Sequence, residues 1–348
     1  MSLPTPRGPR LDLKQGRIDL THGAGGRASA QLIAEVFAAA LRNPWLDQGN
    51  DQAIMPRPAG RIAMSTDCHV ITPLFFPGGD IGTLAVNGTV NDLAMGGAQP
   101  LYLTAGFILE EGLPLADLVR VVASMARAAR EAGVQVVTGD TKVVERGKAD
   151  GLFITTAGVG VVPEGVDLHG GNARPGDAVI VSGHLAEHGM AVLSQRENLG
   201  FDSDIVSDCA ALNGLTARMV AACPSLRLMR DPTRGGLGNT LNEICAQSGI
   251  GMYLHEDALP IRAAVRAACE FLGLDPLYIA NEGKLIAICA EQDADALLTV
   301  MRQHPLGQHA ARIGTVIDDP HGFVRLTTSF GGERLVDWLH GEMLPRIC

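Results

Sequence analysis

Apolar residues recur along the chain with two periods. Over 28–41, 80–95 and 115–132 they return every third or fourth position, which predicts helices. The first stops near Asn43-Pro44, the second at Gly96-Gly97 and the third at Gly133, all residue types that end helices. Strands are predicted over 61–66, 101–109, 134–138 and 152–162. A Gly- and Pro-rich stretch over 163–175 is the natural domain boundary. Beyond it the pattern predicts a strand at 178–181, helices near 190–195, 210–222 and 237–247, and a strand near 251–254. A helix at 261–271, a strand at 284–289, a helix at 293–303 and a strand at 311–316 complete the series. Residues 1–20 read as a weakly structured lead-in, and no internal repeat stands out. Helices and strands mix without strict alternation, so the expected fold class is α+β in two domains. These span 19–162 and 168–330, and 331–348 forms a mobile tail.

Composition supports this picture. A chain of 348 residues suits two domains at about 150 residues each. With 46% hydrophobic residues it can bury a core, and with only 4% aromatics that core must be built from Ala, Val, Leu and Ile. Lys and Arg number 28 against 38 Asp and Glu, a balance of −10 that argues against nucleic acid as a partner. Phosphate ligands stay open, because acids can hold a phosphate through a divalent cation. No apolar run approaches the ~20 residues of a membrane span. The first ten residues carry Pro and Arg and no secretory signal, so the expected location is cytoplasmic. Seven cysteines include no C-x-x-C pair. Cys68, Cys209, Cys223, Cys245, Cys269 and Cys289 sit among apolar or small residues and read as buried, reduced thiols. Cys348 is the last residue, where chains are usually exposed and mobile.

Two familiar motifs point nowhere firm. His22-Gly23-Ala24-Gly25-Gly26 runs into a helix but follows no buried strand, so it reads as a glycine-rich loop open to a phosphate or amide rather than a dinucleotide fingerprint. His184-Leu185-Ala186-Glu187-His188 matches an inverted zinc-protease pattern, yet Gly183 and Gly189 bracket it and no further ligand stands out. Walker A and G-x-S-x-G sequences are both missing.

Five aspartates share one context, at the edge of an element beside Gly, Asn or Thr: Asp67, Asp80, Asp92, Asp140 and Asp231. Singly each reads as a cap or turn residue. Together they could hold a metal–triphosphate without a P-loop. Their blocks resemble the PurM-type, AIR-synthase-like ATP-binding superfamily. These are Asn91-Asp92-Leu93-Ala94-Met95-Gly96-Gly97, Thr138-Gly139-Asp140-Thr141-Lys142, Asp231-Pro232-Thr233-Arg234-Gly235-Gly236-Leu237 and Asn281-Glu282-Gly283. The ending Pro345-Arg346-Ile347-Cys348, with the loop at His22, resembles one branch of it, the HypE hydrogenase-maturation family.

The resemblance implies a PurM-like architecture, a homodimer formed through the N-terminal sheets, and ATP with Mg²⁺ as cofactors. It implies that a HypF-type carbamoyltransferase loads Cys348 with a carboxamide. ATP-dependent dehydration then yields an S-cyanate, and a HypC–HypD complex accepts the cyanide. By the same analogy Asp67, Asp80, Asp92 and Asp231 hold metal and phosphates, with Asp67, Asp92 and Asp231 as the metal ligands. Asn87 or Asn91 assists, and Thr138, Gly139 and Asp140 join the nucleotide site. Lys142 would stabilise the phosphoryl group, Glu282 would accept a proton, and His22 is a third candidate for nitrile formation. Two rivals remain open here: a related enzyme acting on a free small molecule, and a non-enzymatic scaffold. The eighteen residues of the tail could reach at most ~60 Å, enough for a swinging carrier.

Overall fold

The helical periods close into α1 (Arg27–Leu32) and α2 (Ala38–Leu41), joined by the π-helical turn Ile33–Phe37. There follow β1 (Arg61–His69), β2 (Phe75–Phe76), β3 (Gly79–Asp80), α3 (Ile81–Met95), β4 (Gln99–Glu110), α4 (Leu115–Ala132), β5 (Gln135–Val144) and β6 (Leu152–Val162). The computed structural model describes residues 10–50, 52–199, 205–341, 344 and 346–348. Pro345 of the terminal motif therefore lies outside the described residues.

The first sheet has the order β1-β6-β4-β5. Its one parallel pair, β4 with β5, is crossed by α4. That helix buries a single stripe (Leu118, Val121, Val122, Met125, Ala129) and ends at Gly133 in the left-handed region. α3 differs, being buried nearly all round. It lies between the sheet and the second domain, which explains its run of small and apolar residues. Asn91 joins the two bodies: its amide donates to the Ala210 and Glu282 carbonyls and accepts from Leu212 N–H, at 2.8–3.1 Å. The sheet's other face is open, and Ile62 (59% exposed), Met64 (73%) and Ile108 (41%) stand on it.

The second domain adds β7 (Ala178–Val181), α5 (Glu187–Arg196), α6 (Asn213–Ala222), β8 (Leu226–Arg230), α7 (Gly236–Ser248), β9 (Gly251–His255) and α8 (Ala263–Leu272). It closes with β10 (Ile286–Cys289), α9 (Ala294–Arg302), β11 (Ala311–Ile317), β12 (Val324–Thr327) and β13 (Glu333–Leu335). These strands form one sheet ordered β13-β12-β9-β11-β7-β10-β8. β7 and β10 are unbroken apolar runs because both faces are covered. Val179 and Val181 pack with α7 on one side, and Ala178 and Ile180 with α6 and α9 on the other.

The structure corrects several expectations. β1 continues through Asp67 to His69, and β5 runs to Val144. β8, β12 and β13 have no counterpart in the sequence pattern, and β13 falls within the stretch expected as a tail. Of the six thiols expected in the core, Cys68 is exposed and Cys209 half-buried. Cys68 lies on the outer face of β1, where alternate side chains leave the core.

Candidate active site

Strand alternation turns Ser65, Asp67 and His69 toward α3. Gly88 makes room for them. A Cβ there would lie 2.9 Å from both Asp67 Oδ2 and His69 Nε2, whose own separation is 3.2 Å. One turn along, Asp92 accepts a 2.6 Å hydrogen bond from Ser65 Oγ. From the second domain, the end of β8 and the start of α7 bring Asp231 and Arg234 to the same seam. Ser65, Asp92, Asp231, Arg230 and Arg234 line a cavity of about 420 Å³. Arg234 also lines an adjoining cavity of about 520 Å³ with Cys68, Tyr278 and Cys348.

Charges in this seam are unbalanced. Burial works against ionisation of Asp67, but the hydrogen bond and charge of His69 outweigh it and hold its carboxyl below the ordinary value. Burial and the Asp67 charge push Asp92 up despite Ser65. Burial, reinforced by Asp92, pushes Asp231 up to about 7. Glu282 is pushed far up by burial and then by Asp208, Asp67, Asp231 and Asp92. Its protonated form is therefore favoured more than that of an ordinary carboxyl. Carboxylates that raise one another in this way suit a cation-accepting site. Among the described residues, no three His, Cys, Asp or Glu side chains are close enough to cage a metal by themselves. Asp67, Asp92 and Asp231 thus share one seam without forming such a cage.

The chain's end is folded into this seam. Ile71 bridges Ile347, Val70 N–H donates to the Cys348 carbonyl at 3.1 Å, and Thr72 N–H donates to the Arg346 carbonyl at 3.3 Å. Ile347 is 5% exposed and belongs to the N-terminal core. The Cys348 thiol lies against the Glu282 carboxyl; burial first, then Glu282, raises its pKa, while Arg234 opposes them. Cys348 and Glu282, expected from sequence as substrate and base, are thus brought together.

Other expected residues go elsewhere. His22, Thr138, Gly139, Asp140 and Lys142 line a separate cavity of about 380 Å³ whose walls include Leu32, Phe37 and Phe107. His22 Nε2 is buried there without a hydrogen-bond partner, and the apolar wall beside a glycine loop suits a nucleoside. Lys142 pairs with Asp140 at 3.8 Å, both well exposed. By register they share the sheet's outer face with Ile108 and Gly106, whereas Asp67 faces inward. β5 and β1 are opposite edges, about 14 Å apart at ~4.8 Å per strand. One chain therefore does not bring Lys142 to Cys348. Asp80 caps α3, accepting from Gly82 and Thr83 N–H at 2.8 and 3.0 Å and from Ser124. That oxygen is committed to the cap, and Asp80 lines a cavity apart from Asp92 and Asp231. Asn87 donates to Cys209 Sγ at 3.5 Å, and Asn91 is spent on the domain seam.

Sequence reading missed Asp208, Lys284 and Arg234. Asp208 is buried yet held below its ordinary value. Burial opposes ionisation, but Lys284 at 3.1 Å and the N–H groups of Glu282 and Gly283 at 3.2 Å prevail. It fixes the loop that carries Glu282. Asp208 lies in an irregular stretch with no periodicity to mark it, whereas Arg234 sits inside a block already singled out. The His-x-x-Glu-His segment does not gather a metal site. Glu187 pairs with Arg262 (3.1 Å) and Lys284 (3.8 Å), His184 stacks on His309, and His188 turns inward.

Comparison with known proteins identifies the family. The model of the AIR synthase related protein N-terminal domain matches residues 49–162, and that of its C-terminal domain matches 174–327. Carbamoyl dehydratase HypE of Azotobacter vinelandii is 67% identical over 97% of this chain and 99% of its own length. A crystal structure of hydrogenase maturation protein HypE in complex with ATP superposes with a TM-score of 0.91 at 52% identity, covering 94% of this chain and 99% of that one. A HypE–HypF complex superposes at 0.78 with 48% identity, over 88% and 99%. No helix among the described residues is long and apolar enough to cross a membrane.

Proposed function

The chain belongs to the HypE family of carbamoyl dehydratases, two-domain AIR-synthase-related enzymes of hydrogenase maturation, and from that premise we propose that its substrate is its own terminus. It would use ATP to convert an S-carboxamide on Cys348 to an S-cyanate. The observation that carries this reading is the Cys348 thiol seated against Glu282 at the end of a carboxylate seam. The complex of a HypE with HypF supports a HypF-type carbamoyltransferase as the source of the carboxamide. The family resemblance implies a HypC–HypD complex as cyanide acceptor and the cytoplasm as the setting.

The chemistry asks for activation and then elimination. An amide oxygen is a poor leaving group as hydroxide and a good one once phosphorylated. The oxygen attacks the γ-phosphorus and ADP leaves; loss of the nitrogen's protons then expels phosphate and forms the C≡N bond. Asp67, Asp92 and Asp231 would hold a divalent cation on the triphosphate, and that cation supplies charge neutralisation during transfer. A cation held by these carboxylates would offset three of the influences that raise Glu282, leaving burial and Asp208, and so would favour its use as a base beside the sulfur-bound amide. Arg234 adds a fixed cation. We place the nucleoside in the cavity of His22, Thr138, Gly139 and Asp140. Lys142 and Asp140 would then act on a facing copy across a homodimer, because both stand on the open apolar face of the sheet.

The test is intact mass of the full chain with a HypF-type enzyme, carbamoyl phosphate, Mg²⁺ and ATP. Mass should rise by about 43 Da and then fall by about 18 Da. Cys348→Ala should show neither change. Glu282→Gln should keep the first and slow the second by a factor on the order of 10²–10⁴. Added mass on any other residue defeats the reading.

A further inference from the structure

His188 is the one part of the His-x-x-Glu-His segment that reaches the chain's end. It sits in the first turn of α5, fully buried. Its Nε2 lies 2.7 Å from the Ile347 carbonyl, one residue before Cys348, and its Nδ1 lies 2.8 Å from Ser207 Oγ. A carbonyl can only accept, so Nε2 carries the proton. Nδ1 must then accept from the Ser207 hydroxyl, while Ser207 Oγ itself accepts from Cys209 N–H at 3.1 Å. The relay runs one way and fixes the tautomer. Phe76 meets the imidazole edge-on, with centroids 5.4 Å apart. The next residue serves the same end: a Cβ on Gly189 would lie 3.2 Å from Leu344 Cδ1. Burial lowers the ring's pKa, with Asp208 and the Ile347 carbonyl opposing it only in part.

Other groups also grip the tail. Arg196 donates to the Thr72 and Arg346 carbonyls at 2.8 and 2.6 Å, and the exposed Arg346 side chain pairs with the half-buried Asp150 at 3.0 Å. These sit nearer solvent, where water can replace them. The His188 bond is in the dry interior, so withdrawing the tail strands a buried donor.

We propose that His188, oriented by Ser207, is a positioning residue that latches Ile347 and so holds Cys348 in its seat beside Glu282. The claim rests on the reading above only for its catalytic consequence. The latch itself is a property of the unmodified chain.

The experiment measures alkylation of Cys348 by iodoacetamide in the full-length protein, followed by peptide mass. Cys245, 1% exposed, serves as the internal sign of global unfolding. His188→Phe keeps the ring and its packing but removes the donor. Cys348 should then label on the order of tenfold faster while Cys245 stays protected. His188→Gln returns an N–H near Nε2 and should restore most of the protection, which mere loss of packing would not allow. Ser207→Ala leaves the imidazole in place but removes the hydrogen bond at Nδ1 that orients it, so it carries the same test if the His188 variants fail to fold. Unchanged labelling in His188→Phe, or in Ser207→Ala where that variant must stand in, overturns the latch. With the carbamoyltransferase, His188→Phe should still gain about 43 Da but lose 18 Da more slowly than the wild type. A wild-type chain that labels as expected yet shows neither mass change refutes the dehydratase reading and leaves the latch standing.

Discussion

At the level of one residue, Asp231 gives the seam a consequence that pH can read. Its carboxyl is pushed up to about 7 in the folded chain, half-buried and beside Asp92 and Asp67, against about 3.9 when unfolded. A raised carboxyl favours the folded state at low pH, and that contribution is lost as pH rises from about 4 through 7. At pH 8 the ionised group therefore opposes folding. Asp231→Asn should raise the melting temperature of metal-free protein at pH 8, by an effect of up to about 4 kcal/mol, and change it little at pH 4. Thermal melts at the two pH values check this; equal shifts at both would refute it. Asp231, Asp92, Asp67 and Glu282 were legible in the sequence because each stands in a short block with Gly, Asn or Thr, and Cys348 because it is the last residue of a distinctive ending. Asp208 and Lys284 were not. Their value comes from pairing across 76 residues in a buried loop, and nothing local to either residue encodes that partner.

Among the elements, the contact of α3 with β1 decides whether the site exists. The helix was readable from its period and its Gly-Gly stop, and the strand from its alternation. Their close approach was not, because it depends on Gly88 facing Asp67 and His69. Gly88→Ala should cost about 1–3 kcal/mol through overpacking and weaken nucleotide binding as Asp67 is displaced. Chemical denaturation and ATP titration measure both, and an unaltered affinity would contradict the placement of Asp67 at the site. The unforeseen strands have local reasons. β13 is an exposed three-residue edge, and β8 mixes Leu with Arg; neither offers the alternation that reveals a strand.

For the molecule as a whole, the open face of the first sheet is the main unfinished surface. Ile62, Met64 and Ile108 are too exposed for an isolated sheet, and Lys142 shares that face. If the proposed homodimer forms through this face, the wild type should sediment as a dimer, and Met64→Glu should shift it to monomer and slow the dehydration step at least tenfold; a wild type that sediments as a monomer would falsify the shared site. By itself the sequence determined the two-domain α+β character, the acidic blocks and the special standing of the final cysteine. Such features are written in local periodicity and in short runs of residue types. Only the tertiary structure decided which acids share a field, that Lys142 lies strands away from Glu282, and that the last residues pack inward under His188. Those outcomes depend on strand order and on the closure of one domain over the other, which bring together residues far apart in the chain.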